Sequence, residues 1–317
     1  MANALWHTSP TTSMLRKAVQ TTESAYCTVQ SLYSLVSTGT ERLVAMGNVP
    51  ISLHSTMKVP YQEGNFTFPI KYGYSLVGRV THGPAEWRNT LVHILHPHQD
   101  VCTVRPADLF PVPEAVPPLR ATLASNLETA LTALWDANVA VGDRVLVVGF
   151  GMIGALVARL LQMMPAVSLL IHETDTERAA VAQRMGFTLA SLPKDDFDTA
   201  FHCSSSETGL QTSIESVGFE GKVIELSWYG TRSVSVHLGG SFHQQRKQLI
   251  SSQVSSLPAH RRARWNFQRR KEVVFELLKS DRFDQHITET VSFEHLPSLF
   301  DRIRQGDRSA LGWGVEY

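Results

Sequence analysis

The chain has 317 residues, of which 43% are hydrophobic and 18% are charged, with 29 basic and 29 acidic side chains. This composition is typical of a folded globular protein and argues against a disordered chain. Because the charges balance, nucleic acid is not expected as a partner, and neither is a membrane surface. No apolar run reaches the ~18 residues that a membrane-spanning helix needs, and no secretory signal is expected at the start of the chain.

The cysteines are few and widely scattered, at Cys27, Cys102 and Cys203. Three thiols cannot supply a disulfide framework or the four clustered ligands of a structural zinc lobe. We therefore expect a reduced, cytoplasmic compartment.

In chain order, the first part is rich in short β-type runs that Gly and Pro interrupt. A Pro-rich stretch at 109–120 marks a crossing between domains. Strands then alternate with helices, which predicts right-handed βαβ units on a parallel sheet, and the chain ends with one more helix and a strand. We predict an α/β fold with a doubly wound parallel sheet at 123–275 and a β-rich domain at 1–122 that is completed by 276–317.

A glycine-rich loop, GFGMIG, joins a strand to an apolar helix within 144–161. Gly149 can form the tight turn, Gly151 lets the backbone approach a pyrophosphate, and Gly154 lets helix and strand pack closely. The free N–H groups at the start of the helix, at Met152 and Ile153, would face the phosphates. This context predicts a Rossmann dinucleotide site, and the alternative is a Gly-rich turn without a ligand.

An acidic residue, Glu173, ends the strand that follows the loop. A carboxylate there would accept hydrogen bonds from the adenosine ribose hydroxyls and would repel a 2′-phosphate. The residue after it is Thr174, not Arg or Lys. NAD is therefore the predicted cofactor, with NADP less favoured.

Several collinear motifs resemble the medium-chain dehydrogenase/reductase superfamily of zinc-type alcohol dehydrogenases. They are STGTERL at 37–43, YGYSLVGRV at 72–80, and the helix, strand and glycine loop of 128–154. The resemblance covers nearly the whole chain and implies a GroES-like catalytic domain beside the Rossmann domain, with the active site in the cleft between them. It also implies a homodimer that forms through the edge of the Rossmann sheet, where SVSVHL (233–238) is the predicted edge strand. Some residue patterns are also similar to the bacteriochlorophyllide hydroxyethyl dehydrogenase branch.

The places where the superfamily holds its catalytic zinc carry other residues in this chain. Thr38 stands for the cysteine, Tyr74 for the histidine and Ser75 for the glutamate, with Ser125 near the third ligand. Hydroxyl groups do not bind zinc as thiolate, imidazole and carboxylate do. We therefore predict a zinc-free member with no metal site.

Without a metal, a carbonyl that accepts hydride needs a proton or hydrogen-bond donors at its oxygen. The resemblance implies that Tyr74 faces the cleft with the hydroxyl of Thr40 beside it, although Tyr74 could also only fill the abandoned metal site. HILHPHQD (93–100) supplies three histidines to a loop that the resemblance places at the cleft. His98 is the predicted proton relay among them. An unconventional metal site with His96, His98 and Asp100 is an alternative.

Further residues are predicted at the cofactor site or near it. Thr129 corresponds to a threonine on the nicotinamide side in the superfamily, and Ser204 is also assigned to cofactor binding. Glu128 could equally be a helix-start acid. The basic run HRRARWNFQRRK (260–271) could bind an anion or RNA, but the solvated face of a helix with its aromatic residues turned inward is the favoured interpretation.

These observations predict a zinc-independent oxidoreductase that moves a hydride between NAD(H) and a carbonyl or secondary alcohol of a small-molecule substrate. One alternative is an NADPH-dependent quinone or enoyl reductase. Another is a nucleotide-binding protein without turnover that binds RNA. The substrate itself depends on side chains from two domains, whose convergence a sequence pattern does not predict.

Overall fold

A computed structural model describes residues 2–19, 25–192 and 196–317. The chain forms two compact units. The first comprises Met1–Ser125 together with Phe275–Tyr317, and the second comprises Asn126–Val274.

The helices and strands follow one another in three stretches. The first stretch contains β1 (Ala2–Ser9), β2 (Thr12–Ala18), β3 (Cys27–Val36), α1 (Thr38–Ala45), β4 (Glu63–Gly64), β5 (Ile70–Lys71), β6 (Leu76–His82), β7 (Leu91–Ile94), β8 (Val101–Val104), β9 (Phe110–Pro111) and α2 (Pro118–Ala121). The second contains α3 (Ala124–Ala137), β10 (Arg144–Val148), α4 (Met152–Gln162), β11 (Ser168–His172), α5 (Thr176–Arg184), β12 (Phe197–His202), α6 (Glu207–Ser216), β13 (Val217–Glu225), α7 (Ser241–Gln244), β14 (Gln248–Ser251) and α8 (Phe267–Leu277). The third contains β15 (Glu289–Ser292), α9 (Leu296–Arg304) and β16 (Trp313–Glu316).

The first unit is built on two β-sheets. One has the strand order β15-β16-β3-β6-β7-β9, with β8 also paired to β3, and the other has the order β2-β1-β5-β4. Buried and half-buried residues alternate along β8, and one face of the larger sheet forms an apolar core with members such as Val29, Leu76 and Val92. The return of the chain is part of this unit, because β16 pairs with β3.

Helix α1 begins directly after β3 and carries several of the predicted site residues. Ser37 is its N-cap residue, and the backbone N–H of Ser37 donates to Oε1 of Glu41 at 2.8 Å. Helix α9 lies over the same region, and its residues Leu299 and Phe300 join Ala45 in one buried apolar cluster. The start of α1 is therefore held by its own carboxylate, and its last residue is held by the core.

The second unit contains a single parallel sheet with the strand order β11-β10-β12-β13-β14. Strand β10 is buried from Val145 to Val148, as expected for a central strand that helices cover on both faces. The chain leaves β10 toward β11 on one side and later returns to β12 on the other, which makes the carboxyl end of β10 a topological switch point. The predicted α/β fold class is confirmed.

The predicted edge strand SVSVHL (233–238) is wrong. This segment has no strand structure, and β14 pairs with β13 instead. The physical reason lies in the alternating valines, because Val234 and Val236 pack against the apolar cluster of the sheet without forming ladder hydrogen bonds. Alternation of apolar and polar residues indicates that one face of the segment is buried. It does not require that the backbone of the segment pairs with a neighbouring strand.

The basic run 260–271 is helical only from Phe267 onward. Arg261 lies over the rings of Trp135 and Trp265, with its Cζ 5.1 and 5.5 Å from their centroids, and Arg269 lies 3.9 Å from the centroid of Trp265. Trp265 is half-buried, whereas Phe267 is 51% exposed. The prediction of inward-turned aromatic residues therefore holds for the tryptophan and fails for the phenylalanine.

Candidate functional site

The glycine loop turns sharply at Gly149, which has φ of +93°. A Cβ at this position would lie 2.7 Å from the backbone of Ser204, so the close approach of two chain segments also requires glycine here. The N–H of Gly149 donates to the carbonyl of His172 at 2.8 Å, which ties the loop to the end of β11.

The other two glycines of the motif differ from each other in what surrounds them. A Cβ at Gly154 would lie 2.0 Å from the carbonyl oxygen of Gly149, whereas a Cβ at Gly151 would meet only Nη1 of Arg178, at 3.5 Å. Gly154 is therefore required by the packing of helix on loop. The space in front of Gly151 is open, and Gly151 caps α4 without a side chain. Met152 and Ile153 form the first turn of α4, whose N–H groups are suited to a phosphate.

Glu173 follows β11, and backbone N–H groups hold its carboxylate next to the loop. Oε2 accepts from Phe150 at 2.6 Å, and Oε1 accepts from Thr174 and Asp175 at 2.8 and 2.9 Å. Three N–H donors hold the carboxylate in place. The second unit thus presents a fixed negative charge beside an open glycine loop, an arrangement that fits the ribose and pyrophosphate of a dinucleotide.

Sequence reasoning missed Arg178. Asp175 caps α5 by accepting from the N–H groups of Glu177 and Arg178, which places Arg178 in the first turn of the helix with Nη1 beside Gly151. A cation here is suited to a phosphate group. The sequence did offer a signal for Arg178. A basic residue stands in the first turn of the helix that follows Glu173, although the helix dipole favours an acidic residue at that place.

Ser204 lies where the loop and β12 meet, and its backbone closes over Gly149. Its hydroxyl is 2.7 Å from Nε2 of His202 and 2.9 Å from the hydroxyl of Ser206. Nδ1 of His202 in turn lies 2.9 Å from Oε2 of Glu225. This hydrogen-bonded chain fixes the orientation of Ser204 at the carboxyl edge of the sheet.

The other predictions for this unit concern α3. Thr129 is half-buried within the helix. Glu128, next to it, lies beyond the first turn of α3, which begins at Ala124, and it is buried and paired with Nε of Arg270 at 3.1 Å and with Lys271. Burial lowers the pKa of Lys271 despite this partner. Glu128 therefore holds two basic residues of α8 and is not available as a metal ligand.

In the first unit, Tyr74 and Thr40 lie together. The half-buried phenol of Tyr74 hydrogen-bonds with the side chains of Ser37 and Thr40 at the start of α1. Burial and the nearby carboxylate of Glu41 raise the pKa of Tyr74 well above its usual range. The phenol therefore keeps its proton at neutral pH and is a hydrogen-bond donor.

The hydroxyl groups at the places of the zinc ligands have protein partners. Ser75 donates to the carbonyl of Thr122 at 2.5 Å, and Ser125 donates to the carbonyl of Tyr74 at 2.8 Å. Within residues 2–19, 25–192 and 196–317, no three His, Cys, Asp or Glu side chains gather as metal ligands would. A donor set of hydroxyls does not fit a catalytic zinc ion.

The three histidines of 93–100 are buried, and the first of them, His93, lies on strand β7. His93, His96 and His98 are 1–3% exposed. Nε2 of His93 lies 3.2 Å from the hydroxyl of Ser75, and Nδ1 of His96 donates to the carbonyl of Pro97 at 2.8 Å. Each ring thus has a partner inside the core.

His98 has a partner at each of its two ring nitrogens. Its Nε2 lies 2.9 Å from Oε2 of Glu41 and its Nδ1 lies 2.7 Å from the hydroxyl of Ser34. Both ring nitrogens are engaged and the ring is 1% exposed, so the role of His98 as a proton relay stays a prediction. His98 lies behind the start of α1.

None of the helices in the described parts of the chain combines the length and the apolar character needed to cross a membrane.

Comparison with known proteins yields relatives at low sequence identity. No protein-family model matches the chain. D-guloside 3-dehydrogenase of Escherichia coli (strain K12) is 24% identical over 205 residues, which are 59% of this chain and 59% of that protein. The match therefore spans about three fifths of the length of this curated relative.

Solved structures match over the whole length. The structure of 2R,3R-butanediol dehydrogenase from Bacillus subtilis superposes with a TM-score of 0.81 at 16% identity, and the match covers 100% of both chains. Acetophenone reductase from Geotrichum candidum, in complex with NAD, has a TM-score of 0.78 at 15% identity and covers 100% of this chain and 97% of its own. A protein described as a zinc-binding dehydrogenase of Sinorhizobium meliloti 1021, bound to NADP, has a TM-score of 0.77 at 14% identity and covers 100% and 99%. These likenesses show that the chain has the fold of the solved dehydrogenases named here.

Proposed function

We propose that this protein is an NAD(H)-preferring oxidoreductase that transfers a hydride between nicotinamide and a carbonyl or secondary alcohol of a small-molecule substrate, without zinc. The observation that carries the proposal is the phenol of Tyr74, which keeps its proton between two hydroxyl groups at a place where the superfamily holds a metal ligand. The curated relative acts on a secondary alcohol according to its name, which supports a substrate of that class.

The second unit supplies the residues for the cofactor. The first-turn N–H groups of α4, at Met152 and Ile153, would bind the pyrophosphate in front of Gly151. Glu173 would accept the ribose hydroxyls, and Arg178 would contact a phosphate. A bound nicotinamide dinucleotide would supply the hydride. Thr129 and Ser204 remain proposed cofactor contacts.

The first unit supplies the proton. When hydride reaches a carbonyl carbon, the π bond breaks and negative charge develops on the oxygen. The Tyr74 phenol would donate its proton to that oxygen. The side chains of Thr40 and Ser37 hydrogen-bond with the phenol and hold it in place. Solvent then restores the proton. Because the hydroxyls at the zinc positions do not fit zinc, no step is assigned to a metal ion.

A second candidate is an NADPH-dependent quinone or enoyl reductase, which the position of Arg178 favours. A guanidinium at the loop would attract a 2′-phosphate if it swung toward the adenosine end. Against this stands Glu173, whose fixed carboxylate would face that phosphate with like charge. NAD(H) therefore remains the proposed cofactor.

We further propose a homodimer in a reduced, cytoplasmic compartment. Strand β14 forms the edge of the parallel sheet, with Leu249 41% exposed and Phe219 on the adjacent β13 68% exposed. An open edge with exposed apolar side chains favours pairing with a second copy. The three cysteines are unpaired, which supports the reduced compartment. Light scattering that gives the mass of a monomer at micromolar concentration would rule out the dimer.

The experiment that tests the proposal is Tyr74→Phe, which keeps the ring and removes the proton donor. We expect kcat for hydride transfer, measured over a panel of ketones and secondary alcohols, to fall by about a hundredfold or more. The dissociation constant of NADH should stay the same, because Tyr74 belongs to the other unit.

Tyr33→Phe is the matched control, since it removes a half-buried phenol oxygen 3.5 Å from Glu316 on the larger sheet of the same unit. It should leave turnover unchanged. Unchanged turnover in Tyr74→Phe would show that another group handles the proton.

A further inference from the structure

A serine, a histidine and a glutamate form a hydrogen-bonded chain at the carboxyl edge of the parallel sheet. The hydroxyl oxygen of Ser204 lies 2.7 Å from Nε2 of His202, and Nδ1 of His202 lies 2.9 Å from Oε2 of Glu225. His202 ends β12 and Glu225 ends the neighbouring β13, where the two residues are partners in the ladder. His202 is 0% exposed, whereas Ser204 is half-buried. Two neighbouring strands therefore hold the histidine and the carboxylate in register, with the serine just beyond the end of β12.

The other partners of Glu225 fix the tautomer of His202. Oε1 of Glu225 accepts the backbone N–H of Ser227 at 2.7 Å, and Oε2 accepts the phenol of Tyr229 at 3.0 Å. A carboxylate only accepts hydrogen bonds, so a neutral imidazole beside it carries its proton on Nδ1. Nε2 of His202 is therefore the nitrogen that accepts a proton.

The hydroxyl groups near Nε2 are ordered in the same direction. Because Nε2 of His202 accepts, the hydroxyl of Ser204 donates to it. Ser206 accepts the backbone N–H of Gly209 at 3.0 Å, and its own proton is available to the oxygen of Ser204, 2.9 Å away. The serine oxygen thus has a base on one side and a donor on the other, which is the arrangement of a serine that a histidine activates.

The serine lies in a sharp turn between a strand and a helix. β12 ends at His202 and α6 begins at Glu207. Ser205 has φ of +53°, a conformation that residues other than glycine seldom adopt, so the chain turns directly after Ser204. Nη2 of Arg232 donates to the carbonyl of Ser205 at 2.8 Å and holds this turn. A strained turn from strand to helix is also where α/β hydrolytic enzymes place their nucleophile.

Glycine at position 209 leaves room in front of the serine. A Cβ there would lie 2.2 Å from Oγ of Ser204 and 3.1 Å from Nε2 of His202. The two polar atoms therefore meet in the space that a side chain at 209 would fill. The first-turn N–H groups of α6, at Glu207 and Thr208, have no acceptor within the helix, and both residues are exposed. Such groups suit an oxygen that becomes negative.

We propose that Ser204 is a nucleophile that cleaves carboxylic esters, with His202 as its general base and Glu225 as the residue that orients the imidazole. This activity goes beyond hydride transfer and does not depend on it. In the first step a bond forms between Oγ of Ser204 and the carbonyl carbon of the ester, and the bond from that carbon to the alcohol oxygen breaks. The serine proton moves to Nε2 of His202 and from there to the leaving alcohol. Water then attacks the acyl group, which leaves as the carboxylic acid and restores the serine hydroxyl.

Hydrolysis of p-nitrophenyl acetate tests the activity, without added NADH because Ser204 is also a proposed cofactor contact. We expect the wild type to release p-nitrophenolate, and Ser204→Ala to show only the background rate. His202→Gln and Glu225→Gln should lower the catalysed rate by about a hundredfold or more. Ser252→Ala is the matched control, since it removes a half-buried hydroxyl that donates directly to Asp136, at 2.6 Å, and it should keep the wild-type rate. A wild-type rate in Ser204→Ala would overturn the proposal.

A covalent probe identifies the nucleophile independently of turnover. With a fluorophosphonate, a bond forms between Oγ of Ser204 and phosphorus, the P–F bond breaks, and the proton passes to His202 as fluoride leaves. We expect intact mass to show one adduct per chain, peptide mapping to place it on Ser204, and His202→Gln to form it about a hundredfold more slowly. If the glutamine variants do not fold, the site of the adduct in the wild type decides the question alone. No adduct, or an adduct only at another residue such as Tyr229, would overturn the proposal, whereas a failure of hydride transfer would leave the labelling in place.

Discussion

The contrast between Gly151 and Gly154 leads to a prediction that separates cofactor binding from folding. Gly151→Ala adds a methyl group whose only neighbour within 4 Å is Nη1 of Arg178, at 3.5 Å, which is an ordinary contact. The backbone is extended there, with φ of −80°, so that alanine can adopt it. Alanine is a poorer helix cap than glycine, which lowers the stability of the variant. Alanine also restricts the unfolded chain, which raises the stability. The two effects offset each other, so the free energy of unfolding should change by less than about 1 kcal/mol.

Gly154→Ala has the opposite effect. Its methyl carbon would lie 2.0 Å from the carbonyl oxygen of Gly149, more than ~1 Å inside normal contact. Neither atom is the flexible end of a side chain, so the loop or α4 must shift. We expect a loss of about 3 kcal/mol in unfolding free energy, near the upper end of the range for overpacking. NADH binding should weaken as a consequence of this shift.

In Gly151→Ala the methyl group instead occupies the space that the pyrophosphate would enter. NADH affinity should fall at least tenfold, which is about 1.4 kcal/mol, and the branched Gly151→Val should lose about a hundredfold. Urea unfolding and fluorescence titration of NADH measure the two quantities on each variant. Gly239→Ala is the control, since no atom lies within 4 Å of its added carbon. Wild-type NADH affinity in Gly151→Val, or an unfolding loss equal to that of Gly154→Ala, would refute the reasoning.

Three more predictions follow from the sites. The fixed carboxylate of Glu173 should make the dissociation constant of NADH lower than that of NADPH, and Glu173→Gln should narrow the gap; tighter NADPH binding by the wild type would contradict this. Elemental analysis should find less than stoichiometric zinc, with activity retained in chelator, and one tightly held zinc per chain would disprove it. Burial lowers the pKa of His7 and His96 from 6.5 to about 3, so both are neutral in the folded protein and protonate near pH 6.5 only on unfolding. The unfolding free energy should therefore have its full value above about pH 7. Below about pH 6 it should fall by roughly 1.4 kcal/mol for each of the two histidines and each pH unit. The double variant His7→Gln/His96→Gln should lose this slope in urea unfolding at pH 5 and 7, and an unchanged slope would assign the acid sensitivity to other groups.

Local patterns in the sequence determined the fold class and the glycine loop. A strand, a loop with glycines at set spacing and an apolar helix form a unit whose contacts lie within one short segment of chain. The role of Gly154 follows from backbone geometry inside that segment, whereas Gly149 is also required by the distant Ser204. Glu173 was also predictable, because the carboxyl ends of neighbouring parallel strands meet at one edge of a sheet.

The tertiary structure decided whatever depends on partners distant in sequence. His98 looks like a free relay residue in HILHPHQD, but Glu41 and Ser34 occupy both of its nitrogens, 57 and 64 residues away along the chain. In the sequence Glu128 resembles a helix-start acid, but in the structure it is paired with Arg270 and Lys271 of α8. The valines of 233–238 alternate as in a strand, yet they only cover the sheet. A side chain's type limits which bonds it can form, but whether it faces solvent, a substrate or a buried partner depends on long-range packing, which local periodicity does not encode.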